Sequence, residues 1–389
     1  MLSLQSCQPV GETVTGSGRQ GATNPYIVVL KVDPLSGLSA ASPYAKRQQF
    51  MRQYAEQMMS RFNIDRNQLG HVYGSCLRGF VAQLTEAQVS FLRQYPDIAS
   101  IEADQIGSTS VEEAVAGDDM HITAGQEVPW GIKYVGGFID YTGSNAAYIV
   151  DTGIDLTHPD LNVDASRGYN ALTTGTGAKS LADNHDHGTH VSGTIAAKNN
   201  SIGVVGVAAG APVIPIKVTE KPENMQVSNV IAGLDFVMAN ARPGDVINIS
   251  LGAKASDALD AAVMNLTNRG DLFIAMSAGN TTTNNFDANN ISPARINAPN
   301  LYSLSAHDSK GVFASVSCSG NPPIDFAGPG VSIKSTVRGG KYTYFSKGTT
   351  MATAHASGIL LANKGVIYGK GTVTADRDSI PDIKMSRVP

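Results

Sequence analysis

Apolar and polar positions follow two different rhythms in this chain, one on each side of a polar stretch at 107–127. In the first, short strand-like runs alternate with amphipathic helical ones. Residues 26–32, Tyr-Ile-Val-Val-Leu-Lys-Val, read as a strand. Ser42 then Pro43 signals the cap and first turn of a helix on which Phe50, Met51, Tyr54, Met58 and Phe62 recur at helical spacing. Residues 71–84 read as two short strands broken near Gly74 or Gly79. Thr85-Glu86-Ala87-Gln88 is a capping box opening a second helix, and 98–106 returns to strand. The order βαββαβ is the split βαβ pattern of a small α+β, ferredoxin-like unit.

Beyond the polar stretch the strand-like runs become continuously apolar, at 146–150, 213–218, 246–251, 272–276 and 302–305. Helical runs at 187–197, 229–241 and 256–269 separate them, the last closed by Gly270. Such alternation predicts an α/β fold whose parallel sheet is covered on both faces, with ligand chemistry at the carboxyl ends of its strands. The organisation expected is a flexible lead-in over 1–24, the small unit over 25–106, a linker over 107–125 and the larger unit over 126–389. In the tail 366–389, Asp376, Asp378 and Asp382 read as solvated acids.

Composition agrees with two folding units: 389 residues, 40 glycines and 42% apolar content suit a tightly turned α/β protein with a sizeable core. A net charge of −4, with no long Lys/Arg run, removes nucleic acid and anionic membranes as expected partners. No run approaches the ~18 apolar residues of a membrane span. Residues 1–6 lack the regions of a signal peptide. Cys7, Cys76 and Cys318 are too few for a disulfide scaffold.

Four short motifs carry chemistry. Asp151, in Asp151-Thr152-Gly153, directly follows a predicted strand and reads equally as a turn aspartate or a site carboxylate. His187-Gly188-Thr189-His190 opens a helix, where the N-terminal dipole disfavours a protonated imidazole and leaves it ready to accept a proton. Ser277-Ala278-Gly279-Asn280 ends a strand and offers an uncharged donor for a developing oxyanion. Gly348-Thr349-Thr350-Met351-Ala352 opens an apolar helix with a hydroxyl at its N-terminus.

In this order the motifs resemble those of the subtilisin-like serine protease family, over nearly all of residues 126–365. The resemblance implies a doubly wound parallel sheet of subtilisin type. It also implies that Asp151 orients the imidazole, His187 acts as general base and then acid, and Asn280 donates to the oxyanion. Thr350 stands where the family has its serine. Glu223, Asn224 and Met225, and Ser250, Leu251 and Gly252, resemble the two strands that clamp an extended peptide. Ser277, Ala278 and Gly279 would wall the primary pocket, and Ile291 falls at a base position that is often glycine in relatives, which implies a small pocket.

Gln126 and Asp160, with the loop that carries Lys198, Asn200, Ile202 and Val204, match the family's Ca2+ site; the plain reading of the loop is an Asn-Asn turn after a helix. The N-terminal unit resembles the propeptide that assists folding and then inhibits, its last strand feeding the cleft. Family spacing puts the processing junction near Ser110, and the match of Gln126 to a mature start puts it near Ala124. A secreted or otherwise extracytoplasmic monomer acting on protein or peptide substrates is implied.

The departures bear on activity. The Cβ methyl of threonine restricts χ1 and crowds the approach of a carbonyl carbon, so proteolysis is expected to fall by about two orders of magnitude or more, in line with other losses from triads of this family. Ala354 replaces a common proline. The expected form is therefore a weakly active or inactive precursor with its propeptide uncleaved. Two rivals remain: a silent peptide-binding pseudoprotease, and a zinc hydrolase using His185, His187 and His190.

Overall fold

The computed structural model describes residues 22–39, 41–108, 125–281 and 286–389. Nearly all of the expected lead-in lies outside these residues, as do both candidate junctions, Ser110 and Ala124.

The N-terminal strands Asn24–Leu30, Leu69–Tyr73, Gly79–Leu84 and Ile98–Ala103 form an antiparallel sheet in the order second, third, first, fourth. Helix Glu86–Leu92 starts as its sequence anticipates: the Gln88 amide N–H donates to Thr85 Oγ1 at 3.3 Å and the Thr85 N–H to Gln88 Oε1 at 2.9 Å. Helix Tyr44–Arg61 begins one residue later than expected. Pro43, not Ser42, holds the cap position, and its carbonyl accepts from Lys46 and Arg47. This helix buries Met51, Ala55, Met58 and Met59, whereas Phe50 lies off that row and is 40% exposed. The expected strand at 98–106 breaks at Asp104 and Gln105, and Ile106–Gly107 continues as a separate strand.

The sheet's two faces have different partners. Tyr26, Val28 and Leu30 pack on the unit's own helices. Ile27, with Tyr73, Cys76, Leu77 and Val81, packs on helices Val227–Asn240 and Asp257–Thr267 of the larger unit.

In the larger unit the strands run in the order Asn162–Val163, Pro212–Lys217, Ala147–Asp151, Val246–Ile249, Phe273–Ser277, Leu301–His307, Phe326–Pro329 and Ile383–Ser386, all parallel, with Tyr368–Thr372 antiparallel at the edge. Alternation divides the core: Tyr148 and Val150 face helices Val227–Asn240 and Asp257–Thr267, while Ala147 and Ile149 face helices His187–Ala196 and Thr349–Ala362. After Ala147–Asp151 the chain first goes to the neighbour on one side, Pro212–Lys217, and then returns to Val246–Ile249 on the other. This reversal opens a crevice beyond Asp151. The sheet is thus doubly wound, as expected.

The tail departs from expectation. Its strands complete the sheet edge, and Asp382 is only 2% exposed, accepting a hydrogen bond from Ser305 Oγ. Burial, then the neighbouring Asp376 and Asp378 charges, push its carboxyl up to about 7. Among the described residues no helix is long and apolar enough to cross a membrane.

Candidate active site

Asp151 ends its strand fully buried, and the Thr152 N–H donates to its Oδ1 at 2.7 Å. His187 is the first residue of its helix and is 1% exposed. Its Nδ1 lies 2.7 and 2.8 Å from the two carboxylate oxygens of Asp151. A carboxylate only accepts, so Nδ1 carries the proton and Nε2 is the basic nitrogen.

The surroundings hold this pair in place. A Cβ on Gly188 would stand 2.1 Å from the Gly153 carbonyl oxygen and 3.2 Å from Asp151 Cβ, so only glycine lets the helix approach so closely. Asp183, buried and unremarked in the sequence, accepts from Thr152 Oγ1, Thr189 Oγ1 and the amides of His185, Asp186 and Thr189. Asp186 caps the helix at φ 88° and pairs with Arg338, Nε to Oδ1 2.6 Å.

Helix Thr349–Ala362 brings Thr350, fully buried, to its first turn. The Thr349 N–H donates to Asn280 Oδ1 at 2.9 Å. That bond fixes which way the Asn280 amide points, and its buried Nδ2 has no hydrogen-bond partner among the described residues. Ser250 Oγ lies 3.4 Å from the Thr350 carbonyl and itself accepts from Asn248 Nδ2 at 2.8 Å, a link with no signal in the sequence. A hydroxyl at a helix N-terminus, an amide donor beside it and the Asp151–His187 pair thus all lie at the carboxyl-end side of the parallel sheet.

The cleft is already lined with peptide. Ile106–Gly107 pairs antiparallel with Met225–Gln226, Gly107 opposite Met225. Ser108 exchanges two bonds with Gly252, 2.9 and 3.0 Å. The clamp therefore differs from the expected one. Glu223 and Asn224 lie in a 3₁₀ turn over Pro222–Asn224, because Pro222 starts a turn, and the pairing shifts onward to Gln226. Among the described residues, Gly252 of this stretch pairs with the peptide, and Leu251 is in the core.

Below lies a cavity of about 390 Å³ lined by Ser277, Gly279, Asn280, Ile291 and Thr349, among others. Ile291 stands between its walls: a Cβ on Gly252 would come within 2.9 Å of it and one on Gly279 within 3.3 Å. Ala278 does not line the cavity but packs behind it with Ala288, Cys318 and Ile324.

The three histidines do not converge as zinc ligands. His190 stacks on Phe345 with centroids 3.9 Å apart, and its ring nitrogens meet Met351 Sδ and the Ile333 and Thr343 carbonyls. Burial lowers its pKa to about 3. Among the described residues no three His, Cys, Asp or Glu side chains are grouped to hold a metal.

The loop after helix His187–Ala196 gathers oxygens of another kind. Asp160 is fully buried, and burial raises its carboxyl to about 6. Asn200 Nδ2 donates to Asp160 Oδ1 at 2.7 Å, and Gln126 Nε2 to the carbonyls of Lys198 and Val204 at 2.7 and 3.3 Å. The Ile202 N–H donates to Asn200 Oδ1.

Three acids join the two units. Glu102 accepts from the Asp257 and Ala258 amides at the start of helix Asp257–Thr267. Asp104 accepts from the Ser228 amide and hydroxyl, at the start of helix Val227–Asn240. Asp235, inside that helix and fully buried, accepts from the amides of Gly74, Ser75 and Cys76 and from Gln48 Nε2.

The subtilase family model matches residues 148–368, and the peptidase inhibitor I9 model matches residues 25–110. The chain is 31% identical over 351 residues to subtilisin J of Geobacillus stearothermophilus, covering 89% of this chain and 81% of that protein. It is 36% identical over 282 residues to subtilisin E of Bacillus subtilis (strain 168), covering 71% and 68%. It is 35% identical over 340 residues to the extracellular serine proteinase of Thermus sp. (strain Rt41A), covering 86% and 78%. A crystal structure of a cold adapted subtilisin-like serine proteinase matches with a TM-score of 0.56 at 27% identity, covering 67% of this chain and 98% of that one.

Proposed function

Because the chain belongs to the subtilase family and carries a peptidase inhibitor I9 region ahead of its peptidase region, we propose that it is an endopeptidase precursor whose triad position 350 carries threonine. The observation that supports this most is the buried Asp151–His187 pair at the carboxyl end of one strand of the parallel sheet, with Asn280, bonded to the Thr349 amide, just beyond the carboxyl end of another. Asp151 holds Nδ1, so Nε2 takes the proton of the attacking hydroxyl and returns it to the leaving amine. Asn280 Nδ2 donates to the oxyanion. Thr350 Oγ1 is the nucleophile, slowed by its methyl group.

The unit over 25–106 inhibits by laying its end along the clamp, and the processing site lies in 107–125. The peptidase works outside the cytoplasm, as a monomer, on extended polypeptide.

We also propose a structural Ca2+ at Asp160. The donor set suits a hard cation: one buried carboxylate, two side-chain amides and the Lys198 and Val204 carbonyls are linked to one another by hydrogen bonds. Rotating the Gln126 and Asn200 amides would turn their oxygens inward to join these donors and the Ile202 carbonyl. When bound, the ion supplies charge compensation and loop rigidity rather than chemistry.

Thr350→Ser tests the reading. The serine chain should cut itself within 107–125 and then hydrolyse casein, at least about 100-fold faster than the threonine form. A serine chain that stays intact and inert with calcium supplied would sink the protease reading and leave a silent peptide-binding protein.

A further inference from the structure

Two buried charged residues behind the Asp151–His187 pair take no part in the proton transfers. Asp183 is 6% exposed. Its Oδ1 accepts from Thr152 Oγ1 at 2.8 Å and from the His185 and Asp186 amides at 2.8 and 3.1 Å. Its Oδ2 accepts from Thr189 Oγ1 at 2.6 Å and from the Thr189 amide at 3.0 Å. Surroundings made of donors suit an ionised carboxylate. Thr152 carries the link further, because its Oγ1 accepts from the Gly188 amide at 3.0 Å. The carboxylate is thus tied to the residue after Asp151 and to residues on both sides of His187.

Lys217 ends the strand Pro212–Lys217 level with Asp151 on the neighbouring strand, and it is fully buried. Its Nζ donates to the carbonyl of Ala182, the residue before Asp183, at 2.5 Å. Burial lowers its pKa, and the charges of Asp183 and then Glu220 act the other way. A buried ammonium against a neutral carbonyl is costly unless an anion lies near, and Asp183 supplies one.

The other titratable and charged groups around His187 are few. Asp151 faces it from its strand, His185 and Asp186 precede it, and His190 follows one turn on. Arg338 of the hairpin pairs with Asp186, and Glu223 of the clamp turn acts on His185. At a helix N-terminus the dipole disfavours an imidazolium, and an anion fixed there offsets it.

We propose that Asp183 and Lys217 are positioning residues for the reaction. The Asp183 carboxylate holds the imidazole against Asp151 and raises its basicity; the Lys217 ammonium keeps that carboxylate ionised and limits the rise. The proposal rests on the reading of His187 as general base.

The experiment places Asp183→Asn, or Lys217→Met of similar side-chain length, in the full chain with Thr350→Ser and follows kcat/KM against pH. Attack needs a neutral His187, so the acid limb reports its pKa. Loss of the anion favours the neutral imidazole, and Asp183→Asn should move the limb about 0.5–1 unit to lower pH. Its kcat should also fall about tenfold, with KM within about twofold. Loss of the cation favours the imidazolium, and Lys217→Met should move the limb about 0.3–0.5 unit to higher pH. Damage to packing alone gives no such opposed pair. A limb that stays in place in both variants, or moves the same way in both, overturns the proposal. A serine chain that cuts no peptide defeats the protease reading instead. Proton NMR titration of His187 in the Thr350 chain, its signal identified by loss in His187→Gln, then decides this one. The same opposed shifts are expected there, and an unmoved midpoint in the Lys217→Met chain refutes the proposal even where Asp183→Asn does not fold.

Discussion

In the N-terminal sheet Tyr26, Val28 and Leu30 find cover within their own unit while Ile27 looks outward to Val227–Asn240 and Asp257–Thr267. In the large sheet both sets, Tyr148 with Val150 and Ala147 with Ile149, are covered by helices of the same unit. An antiparallel sheet commonly leaves one face to water, whereas a parallel one is buried on both. The small sheet is thus built like the first kind and buried like the second, which ties its stability to its neighbour. Polar contacts reinforce the difference: Glu102, Asp104 and Asp235 all bond across the junction.

The most severe way to separate the two units is Asp235→Ala, which strips a buried acceptor from three backbone N–H groups of the 74–76 turn. Each buried donor left unpaired costs about 1–3 kcal/mol. Amide exchange at Ile27 and Val81 should quicken by about 100-fold, while the strand Ala147–Asp151 keeps its protection. If both sheets loosen together, the units are one cooperative body and the comparison fails.

A middle-sized effect should come from the opposite unit. Excess chelator should lower the melting temperature of the larger unit by about 5–10 °C, the loss of a ligand held at about 100 times its Kd, and leave exchange in the N-terminal helices unchanged. An unmoved melting temperature removes the cation from Asp160.

The last effect, confined to alkaline pH, lies at the far sheet edge. Folding raises the Asp382 carboxyl from 3.8 to about 7, so the folded chain holds a proton that the unfolded chain releases. Its contribution is full below about pH 4 and is lost as pH rises through 7. Asp382→Asn keeps an acceptor for Ser305 and should flatten this loss, raising the melting temperature at pH 8 by several degrees with no change at pH 4. A variant that melts lower at both values would assign the carboxylate a stabilising charge instead.

How much was legible follows from range. The Thr85–Gln88 capping box and the stop at Gly270, φ 73°, are local devices, and the structure shows both where the residues put them. The alternating apolar runs reported a parallel sheet because period and continuity are local too. Misread elements depended on distant partners. The strand Phe326–Pro329 and the hairpin of Val331–Val337 with Lys341–Lys347 carry no clear local signal, and Asp382 is buried rather than solvated. A short strand declares itself only beside its neighbour, and an aspartate's burial depends on what folds over it.

The same division runs through the candidate site. Residue type at strand ends and helix starts made Asp151, His187, Asn280 and Thr350 candidates, and the resemblance of their four motifs, in order, to those of a known family gave each its expected role. Tertiary structure alone brought Asp183 under the Asp151–His187 pair, turned Asn280 with the Thr349 amide and set Met225 against Gly107. Those contacts join residues far apart in the chain, and what decides them is the closeness of packed backbones rather than any pattern along one of them.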